Sequence, residues 1–232
     1  MKVYYDLHVH SCLSPCGDED MTPNNIVNMA CLLGLDMIAL TDHNSAGNVR
    51  AVQKAAEGKI RFVPGIEVTT AEEVHTLCYF SDVESAEDMG EFLKRHMQGI
   101  KNRPDIFGRQ LIMNADDEIM GEEENLLISA VNLDVYEVQK AAKERGGIFV
   151  PAHIDRSSYS VLANLGFLPP DLPVDGIEIT EAGLCEHKQK YENYAILTSS
   201  DAHYLGDISE PKAFFEEDDK IAKKIIEFLC KF

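Results

Sequence analysis

The feature of this sequence that most constrains its fold is the alternation of short apolar segments with longer amphipathic ones. Short apolar runs are typical of buried strands, and apolar residues spaced three or four apart are typical of helices packed on a sheet. Gly34, Gly58 and the pair Gly146-Gly147 follow helical segments and are expected to end them. The predicted strands are 2–10, 37–40, 60–68, 74–80, 148–150, 176–180 and 195–199. The predicted helices are 23–33, 46–57, 86–97, 131–145 and 218–231.

Repeated strand-helix units predict a parallel α/β sheet covered by helices, either an open doubly wound sheet or a barrel. About seven strands favour the closed form. A dinucleotide-binding open sheet would carry a glycine-rich turn after its first strand, but that turn reads SCLSPCG here. A length of 232 residues is compatible with a single domain. We therefore expect one domain over residues 1–232.

The alternation breaks between about residues 99 and 130. This stretch contains Gly, Pro and Asn residues and two acidic runs, 116–118 and 122–124. We expect an inserted lobe or lid here, and we interpret its carboxylates as a solvated surface rather than a metal site.

The chain carries 21 basic and 40 acidic residues, a net charge of −19. Such a field disfavours binding to duplex nucleic acid or to an anionic membrane. No apolar stretch is long enough to span a bilayer, and the N-terminus lacks the basic and apolar regions of a signal peptide, so we expect a cytoplasmic protein. The six cysteines are sparse and are expected to be reduced; Cys12 and Cys16 resemble half a zinc site, but no second pair completes it.

Histidines carry the main functional signal. Two of the eight, His96 and His187, are interpreted as ordinary surface or core residues. In a parallel α/β barrel, active-site groups come from the carboxyl ends of the strands and the loops that follow them. The six remaining histidines lie at or next to predicted strand ends: His8, His10, His43, His75, His153 and His203.

The spacing of these residues predicts a metal cluster. His8 and His10 project from the same face of a strand about 6.5–7 Å apart, close enough to bind one ion or two adjacent ions. Asp201 and His203 repeat this spacing, and Glu67 ends another strand. Imidazoles combined with carboxylates suit zinc, iron or manganese. About nine candidate ligands exceed the four to six that one ion binds, so we expect two to three divalent transition-metal ions.

These motifs together resemble the PHP (polymerase and histidinol phosphatase) superfamily of metal-dependent phosphoesterases. They are DLHVHS at 6–11, GLDMIALTDHN at 34–44, GIE at 65–67, VH at 74–75, AH at 152–153 and SSDAH at 199–203. The resemblance implies a seven-stranded distorted (β/α) barrel of TIM type with a trinuclear metal centre, in which Glu67 bridges two ions. The implied ligands are His8, His10, His43, Glu67, His75, His153, Asp201 and His203.

One position departs from the family pattern. The family places Asp or His five residues after the second motif histidine, where this chain has Pro15. A short insertion leaves two candidates for the missing ligand, Asp18 and Asp20. Asp20 also precedes a predicted helix, where it would serve as a capping acid.

Clustered divalent ions neutralise phosphate oxygens and activate water, so we expect a metal-dependent phosphoesterase that hydrolyses a small phosphomonoester or nucleotide. Arg156 is the preferred phosphate clamp, and Arg103 and Arg109 are weaker candidates. The alternatives are a 5′ nuclease acting on short oligonucleotides, a histidinol phosphatase and a non-catalytic metal-binding module. The groups expected to act in catalysis are Glu67, His153, Asp201 and Arg156.

Overall fold

The structure, a computed structural model, describes residues 2–216, 225, 227 and 228. The predicted helix 218–231 therefore lies outside the described residues apart from these last three, which are helical. Ile225 and Phe228 are buried against the strand residues of the core.

The described chain forms ten strands and seven α-helices. The strands are β1 Lys2–Val9, β2 Met37–Leu40, β3 Arg61–Thr69, β4 His75–Tyr79, β5 Leu111–Met113, β6 Ile119–Glu122, β7 Ile148–Pro151, β8 Ile177–Glu178, β9 Ile196–Leu197 and β10 Phe214–Glu216. The helices are α1 Pro23–Leu33, α2 Val49–Ala56, α3 Val83–His96, α4 Pro104–Phe107, α5 Val135–Glu144, α6 Val161–Asn164 and α7 Leu184–His187. None of these helices has the length and apolar character that crossing a bilayer requires.

Six strands form the main sheet, in the order β10-β1-β2-β3-β4-β7, and β8 and β9 form a separate parallel pair. The mixed α/β class is confirmed, but the main sheet of the described chain does not have the seven strands expected of the barrel, and its edge strand β10 was not expected. β1, β2 and β3 run parallel, whereas β4 is antiparallel to both β3 and β7. The expectation of a wholly parallel sheet is therefore wrong. The connection between β3 and β4 is too short for a parallel crossover, which needs a dozen or more residues.

The sheet curls, and the segment that follows β9 returns to β1. Ala202 pairs in parallel with Val9: the His10 N–H donates to the Ala202 carbonyl at 2.9 Å, and the Ala202 N–H donates to the His8 carbonyl at 3.2 Å. On the other side of the sheet, the Ile154 N–H after β7 donates to the Glu178 carbonyl of β8 at 2.9 Å. The ends of β1, β7, β8 and β9 consequently lie close to one another.

The strands are buried on both faces, as expected for a sheet covered by helices. One core cluster joins the apolar sides of α1, α2, α3 and α5 to strand residues such as Ile66. A second cluster consists mainly of strand side chains, including Leu7, Val63, Leu77 and Leu197. The predicted start of α1 is confirmed, because the Thr22 side chain accepts a hydrogen bond from the Asn25 N–H.

The segment at 99–130 contains α4 and the β5-β6 hairpin, and buried amide side chains attach it to the rest of the fold. Asn48 donates from Nδ2 to the Ser11 hydroxyl and the Leu111 carbonyl, and its Oδ1 accepts from the Met113 N–H. Asn44 donates to the carbonyls of Leu127 and Ser129. These contacts favour the lobe over the lid among the two expected forms.

Candidate metal centre

Six imidazoles gather at one end of the sheet. Five of them are buried, and His203 is partly exposed. Five also lie at or after strand ends, as predicted. His75 instead begins β4, and it reaches the same rim because antiparallel pairing places it opposite Thr69, the last residue of β3.

Glu67 lies at the centre of this group and is 1% exposed. Its Oε1 is 3.3 Å from His8 Nε2, 3.0 Å from His75 Nδ1 and 3.3 Å from His153 Nε2, and its Oε2 is 3.3 Å from His10 Nε2 and 3.1 Å from His43 Nδ1. One carboxylate therefore faces five imidazoles contributed by four separate parts of the sheet rim.

Asp201 is the second carboxylate of the cluster. Its Oδ1 lies 3.2 Å from His8 Nε2 and 3.1 Å from His10 Nε2, and its Oδ2 accepts from the Arg156 guanidinium. Its backbone carbonyl accepts from His203 Nδ1 at 2.8 Å, and the His203 ring stacks on the His10 ring with 4.2 Å between centroids.

Three overlapping groups place one potential ligand atom per residue within 4.8 Å of one another. Because they share residues, they describe adjacent positions rather than one. The groups are His8, His10, Glu67 and Asp201; His10, His43 and His203; and His43, Glu67 and His75.

The donor set fits divalent cations. Several buried atoms of the cluster residues have no hydrogen-bond partner: His8 Nε2, His10 Nε2, His43 Nδ1, His75 Nε2, His153 Nδ1, Glu67 Oε2 and Asp201 Oδ1. Buried polar atoms are normally satisfied, and leaving one without a partner costs about 1–3 kcal/mol. Imidazole nitrogens and carboxylate oxygens are the ligands that zinc, iron and manganese accept.

Outer hydrogen bonds hold two imidazoles in one orientation. His8 Nδ1 donates to Glu178 Oε2 at 3.0 Å, since a carboxylate only accepts. His10 Nδ1 donates to the Ser14 hydroxyl at 2.9 Å, and that hydroxyl in turn donates to Asp42 at 2.7 Å. Both rings therefore turn Nε2 toward the cluster, the arrangement usual for metal-binding histidines.

Sequence reasoning missed the roles of Glu178, Ser14 and Asp42. Glu178 lies in the segment GIEIT, which nearly repeats GIEVT around Glu67, and this repeat was the available signal. The Glu178 carboxylate also accepts from the His153 N–H at 2.9 Å, so it connects two candidate ligands.

Burial and charge shift the pKa values of the cluster in opposite directions. Burial lowers the pKa of His10, but the adjacent Asp201 and Glu67 carboxylates outweigh it and raise the value to about 9. Burial lowers the pKa of His203, and the nearby His10 lowers it further, to about 4. Burial raises the pKa of Glu67, but His75, His8 and His43 outweigh burial and hold the value well below its usual range. The cluster thus contains both protonated and neutral imidazoles.

Backbone strain concentrates at this rim. Four non-glycine residues of the site loops have left-handed φ values: Asn44 at 48°, His153 at 27°, Tyr159 at 54° and Asp201 at 55°. Such conformations are uncommon outside glycine and cluster at functional sites. Asn and Asp tolerate them best, so His153 and Tyr159 are the more unusual pair.

The predicted ligands that the structure does not bring together are Asp18 and Asp20. In the described part of the chain, neither residue belongs to the three groups of potential ligands. His153 is also outside these groups, although its ring lies against Glu67. Asp18 Oδ1 accepts from the Asp20 N–H, and the Asp18 N–H donates to the His203 carbonyl. Thr22 rather than Asp20 caps α1.

Of the predicted clamps, only Arg156 contacts the cluster in the described structure. Its side chain is 44% exposed and pairs with Asp201. Arg103 pairs with Asp105 and Arg109 with Glu122, both within the 99–130 segment.

The two cysteines that resemble half a zinc site, Cys12 and Cys16, do not belong to the three groups of potential ligands in the described chain. Cys12 is buried and Cys16 is exposed.

A cavity among the described residues has a volume of about 1040 Å³ and is lined partly by Leu184 of α7 and the 206–216 segment. It borders the cluster at Arg156 and Ser200, but it contains none of the six histidines. We therefore locate the chemistry from the convergence of ligand atoms rather than from cavity size.

A family model of the PHP domain matches residues 6–232. Among curated relatives, the error-prone DNA polymerase of Mycobacterium bovis is 43% identical over 67 residues, which are 28% of this chain and 6% of the polymerase. The chain thus spans a small fraction of that relative.

Two kinds of solved structure share the fold. Endonuclease Q of Pyrococcus furiosus superimposes with a TM-score of 0.66 at 19% identity, over 97% of this chain and 55% of that one. Endonuclease Q bound to a 27-mer duplex with an abasic lesion gives 0.63 at 20% identity, over 88% and 50%. A candidate metal-dependent phosphoesterase of Bifidobacterium adolescentis gives 0.65 at 20% identity, over 97% and 96%.

Proposed function

The chain belongs to the PHP domain family, and on that premise we propose that it is a metal-dependent hydrolase of a small phosphate ester, a phosphomonoester or a nucleotide. The observation that carries the proposal is the convergence of six imidazoles and two carboxylates, several of whose buried atoms have no hydrogen-bond partner. A group of this size exceeds the ligand number of one ion, so we propose two to three divalent ions of zinc, manganese or iron. We also propose the seven-stranded barrel and the single domain over 1–232 that the family resemblance implies.

Divalent ions bound by these residues supply the positive charge that phosphoryl transfer requires and lower the pKa of a water nucleophile. Glu67 is the residue proposed to hold two positions at once, because its two oxygens face different imidazoles. Asp201 presents one oxygen to His8 and His10, and Arg156 holds the other. We propose that Arg156, being partly exposed, also binds a substrate phosphate oxygen with its remaining N–H groups.

The protonation of the cluster bears on which side chain transfers a proton to the leaving oxygen. His10 holds a proton at neutral pH in the absence of cations, whereas His203, with its pKa near 4, is neutral and partly exposed. When His203 is not a ligand, its unprotonated Nε2 can take a proton from the attacking water and return it to the leaving oxygen, since Nδ1 carries the proton donated to the Asp201 carbonyl. His153 lies against Glu67 and is the other candidate for this role.

The experiment that tests the proposal is a phosphate-release screen. The substrates are sugar phosphates, nucleoside monophosphates, histidinol phosphate and short single-stranded oligonucleotides, each with zinc, manganese or iron. We expect turnover of at least one monoester that depends on added metal, and two to three metal equivalents in protein purified without chelator. A folded protein that binds these ions but turns over no substrate would instead be a non-catalytic module, and activity in chelator would contradict the metal requirement.

A nuclease is the second candidate function, and the fold shared with endonuclease Q favours including it. An endonuclease Q structure contains a lesion-bearing duplex, and this counts against the expectation that the present chain binds no duplex nucleic acid. The net charge of −19 argues against extended contact with a polyanion. A 27-mer duplex with one abasic site, added to the screen beside an intact duplex, separates the two functions.

A further inference from the structure

A tyrosine ring covers one histidine of the candidate metal centre. The Tyr159 ring stacks on the His75 ring with 4.9 Å between centroids and 26° between planes. Tyr159 is nevertheless 42% exposed. One part of this ring therefore contacts a candidate metal ligand while another part is open to solvent.

The loop holds Tyr159 in this place despite an unfavourable backbone conformation. Its φ of 54° is a left-handed value, which is strained for a bulky side chain. The Tyr159 carbonyl accepts from the His75 N–H at 2.9 Å, and the next residue, Ser160, caps α6 and donates to the Arg156 carbonyl. Hydrogen bonds of the Tyr159 carbonyl and of the Ser160 hydroxyl thus hold this part of the loop beside the metal centre.

The same loop also provides Arg156. The Arg156 guanidinium contacts Asp201, and the Tyr159 ring contacts His75, so the two side chains meet different members of one cluster. Because Arg156 and Tyr159 are three residues apart in this loop, a ligand whose phosphate binds Arg156 would have the Tyr159 ring available to a planar group. Aromatic rings stack at centroid distances of about 4.5–7 Å, and every nucleobase has a face suited to this contact.

We propose that Tyr159 is a stacking platform for a nucleobase, so that nucleotides are preferred over sugar phosphates lacking a base. This inference rests on the proposed phosphoesterase function and specifies its substrate class. Stacking of this kind is tolerant of base identity, so the preference extends to purines and pyrimidines. A structural alternative is that the ring only orients His75, and the two roles differ in which substrates they affect.

The test compares two phosphate esters that differ only in the base, adenosine 5′-monophosphate and ribose 5-phosphate. In Tyr159→Leu, we expect KM for adenosine 5′-monophosphate to rise about 5- to 150-fold, the effect of losing one base-aromatic contact. KM for ribose 5-phosphate should stay within about twofold, since that ligand makes no stacking contact. Tyr159→Phe keeps the ring and should behave like the unaltered protein.

Tyr136→Leu is the matched control, because Tyr136 is 40% exposed and donates to Asp171 on another part of the surface. An equal loss on both substrates in Tyr159→Leu would mean that the ring only positions His75, and it would overturn the platform. No change on either substrate would overturn it as well.

Calorimetry separates failure of this inference from failure of the proposed function. If no phosphate ester of the screen is turned over, the hydrolase proposal fails, and binding of these two ligands to the metal-loaded protein still tests the platform. We then expect adenosine 5′-monophosphate to bind more tightly than ribose 5-phosphate, with the difference lost in Tyr159→Leu. Equal affinities in the unaltered protein would overturn the inference.

Discussion

Glu67 is the single side chain on which the geometry of the candidate site depends. An isolated buried carboxylate is strongly unfavourable, and five facing imidazoles offset that penalty here. The same imidazoles leave several ring nitrogens without partners, so the arrangement is incomplete on its own. At this scale, stability and metal affinity are coupled through the same atoms.

Replacing a ligand should remove activity without unfolding the chain. We expect His10→Ala and Asp201→Ala each to lower kcat/KM more than about 100-fold, above the 10- to 100-fold effect of losing an outer partner. Each side chain projects into the cluster rather than into the apolar core, so thermal unfolding should change little. His96→Ala, whose ring contacts Phe92 on α3, is the control. Full activity in both site variants would remove these residues from the site.

Arg156 should act mainly on substrate binding. We expect Arg156→Ala to raise KM for a phosphate ester about 10- to 150-fold, because a charge-assisted hydrogen bond contributes about 1.5–3 kcal/mol. Metal content should be unchanged, since the residue contacts Asp201 through the oxygen that does not face the imidazoles. Arg109→Ala is the control, because Arg109 pairs with Glu122 in the 99–130 segment. A loss of bound metal with unchanged KM would make Arg156 a support for Asp201 alone.

The protonation of His10 predicts a pH dependence with a definite sign. Its pKa of about 9 is above the ordinary value of 6.5, so in the metal-free protein its stabilisation is present below pH 6.5 and is lost as the pH rises through about 9. A cation must displace this proton, so metal affinity should increase over the same range, by about tenfold per pH unit for each proton released.

Titration calorimetry in two buffers of different ionisation enthalpy counts the released protons. We expect at least one proton to be released as the ions bind at pH 7.5, and fewer in His10→Ala. An affinity that is independent of pH between 6.5 and 9 would contradict this linkage.

At the scale of elements, the helix-strand alternation predicted the secondary structure well but not strand direction. Apolar periodicity identified β2 and α1, because their burial follows local pattern. It identified β4 as a strand but not its antiparallel direction, although the short connection after Thr69 already excluded a parallel crossover. β10 lay beyond prediction because its three residues pair only through the distant β1.

The candidate site shows the same limit. The histidines were predictable because two-residue spacing and strand ends are local signals, although His75 begins its strand rather than ending it. Glu178 and Ser14 were not, because each acts by a hydrogen bond to a ligand that only the fold brings near: Glu178 is 170 residues from His8. Asp18 and Asp20 remain predictions for the position left open by Pro15.

Gln110 should stabilise the interior of the 99–130 segment. This buried side chain donates to the carbonyls of Glu123 and Asn125 and accepts from the Leu127 N–H. We expect Gln110→Ala to speed amide hydrogen exchange across 110–127, because each buried group left without a partner costs about 1–3 kcal/mol. Gln98→Ala is the control, since exposed Gln98 donates to a single carbonyl, that of Ala130. Unchanged exchange in Gln110→Ala would mean that this amide does not stabilise residues 110–127.

At the scale of the whole molecule, the charge balance works against the proposed substrate. With 40 acidic and 21 basic residues, the long-range field repels a phosphate dianion, whereas the proposed cations of the cluster and Arg156 would attract it locally. The distance over which the field acts depends on salt: the screening length is about 30 Å at 0.01 M and about 8 Å at 0.15 M. Salt should therefore assist the approach of an anionic substrate to this protein.

We expect KM for a small phosphate ester to fall about two- to fivefold as ionic strength rises from 0.01 to 0.15 M, with kcat unchanged, because only the encounter is affected. A protein that neutralises six to ten phosphates of a duplex behaves in the opposite way and loses about 10³- to 10⁵-fold in affinity between 50 and 200 mM salt. The measurement is KM over this salt series with metal content checked at each point, repeated with the lesion-containing duplex. A KM that rises steeply with salt would mean that basic groups guide the substrate, and it would favour the nuclease over the small-molecule hydrolase.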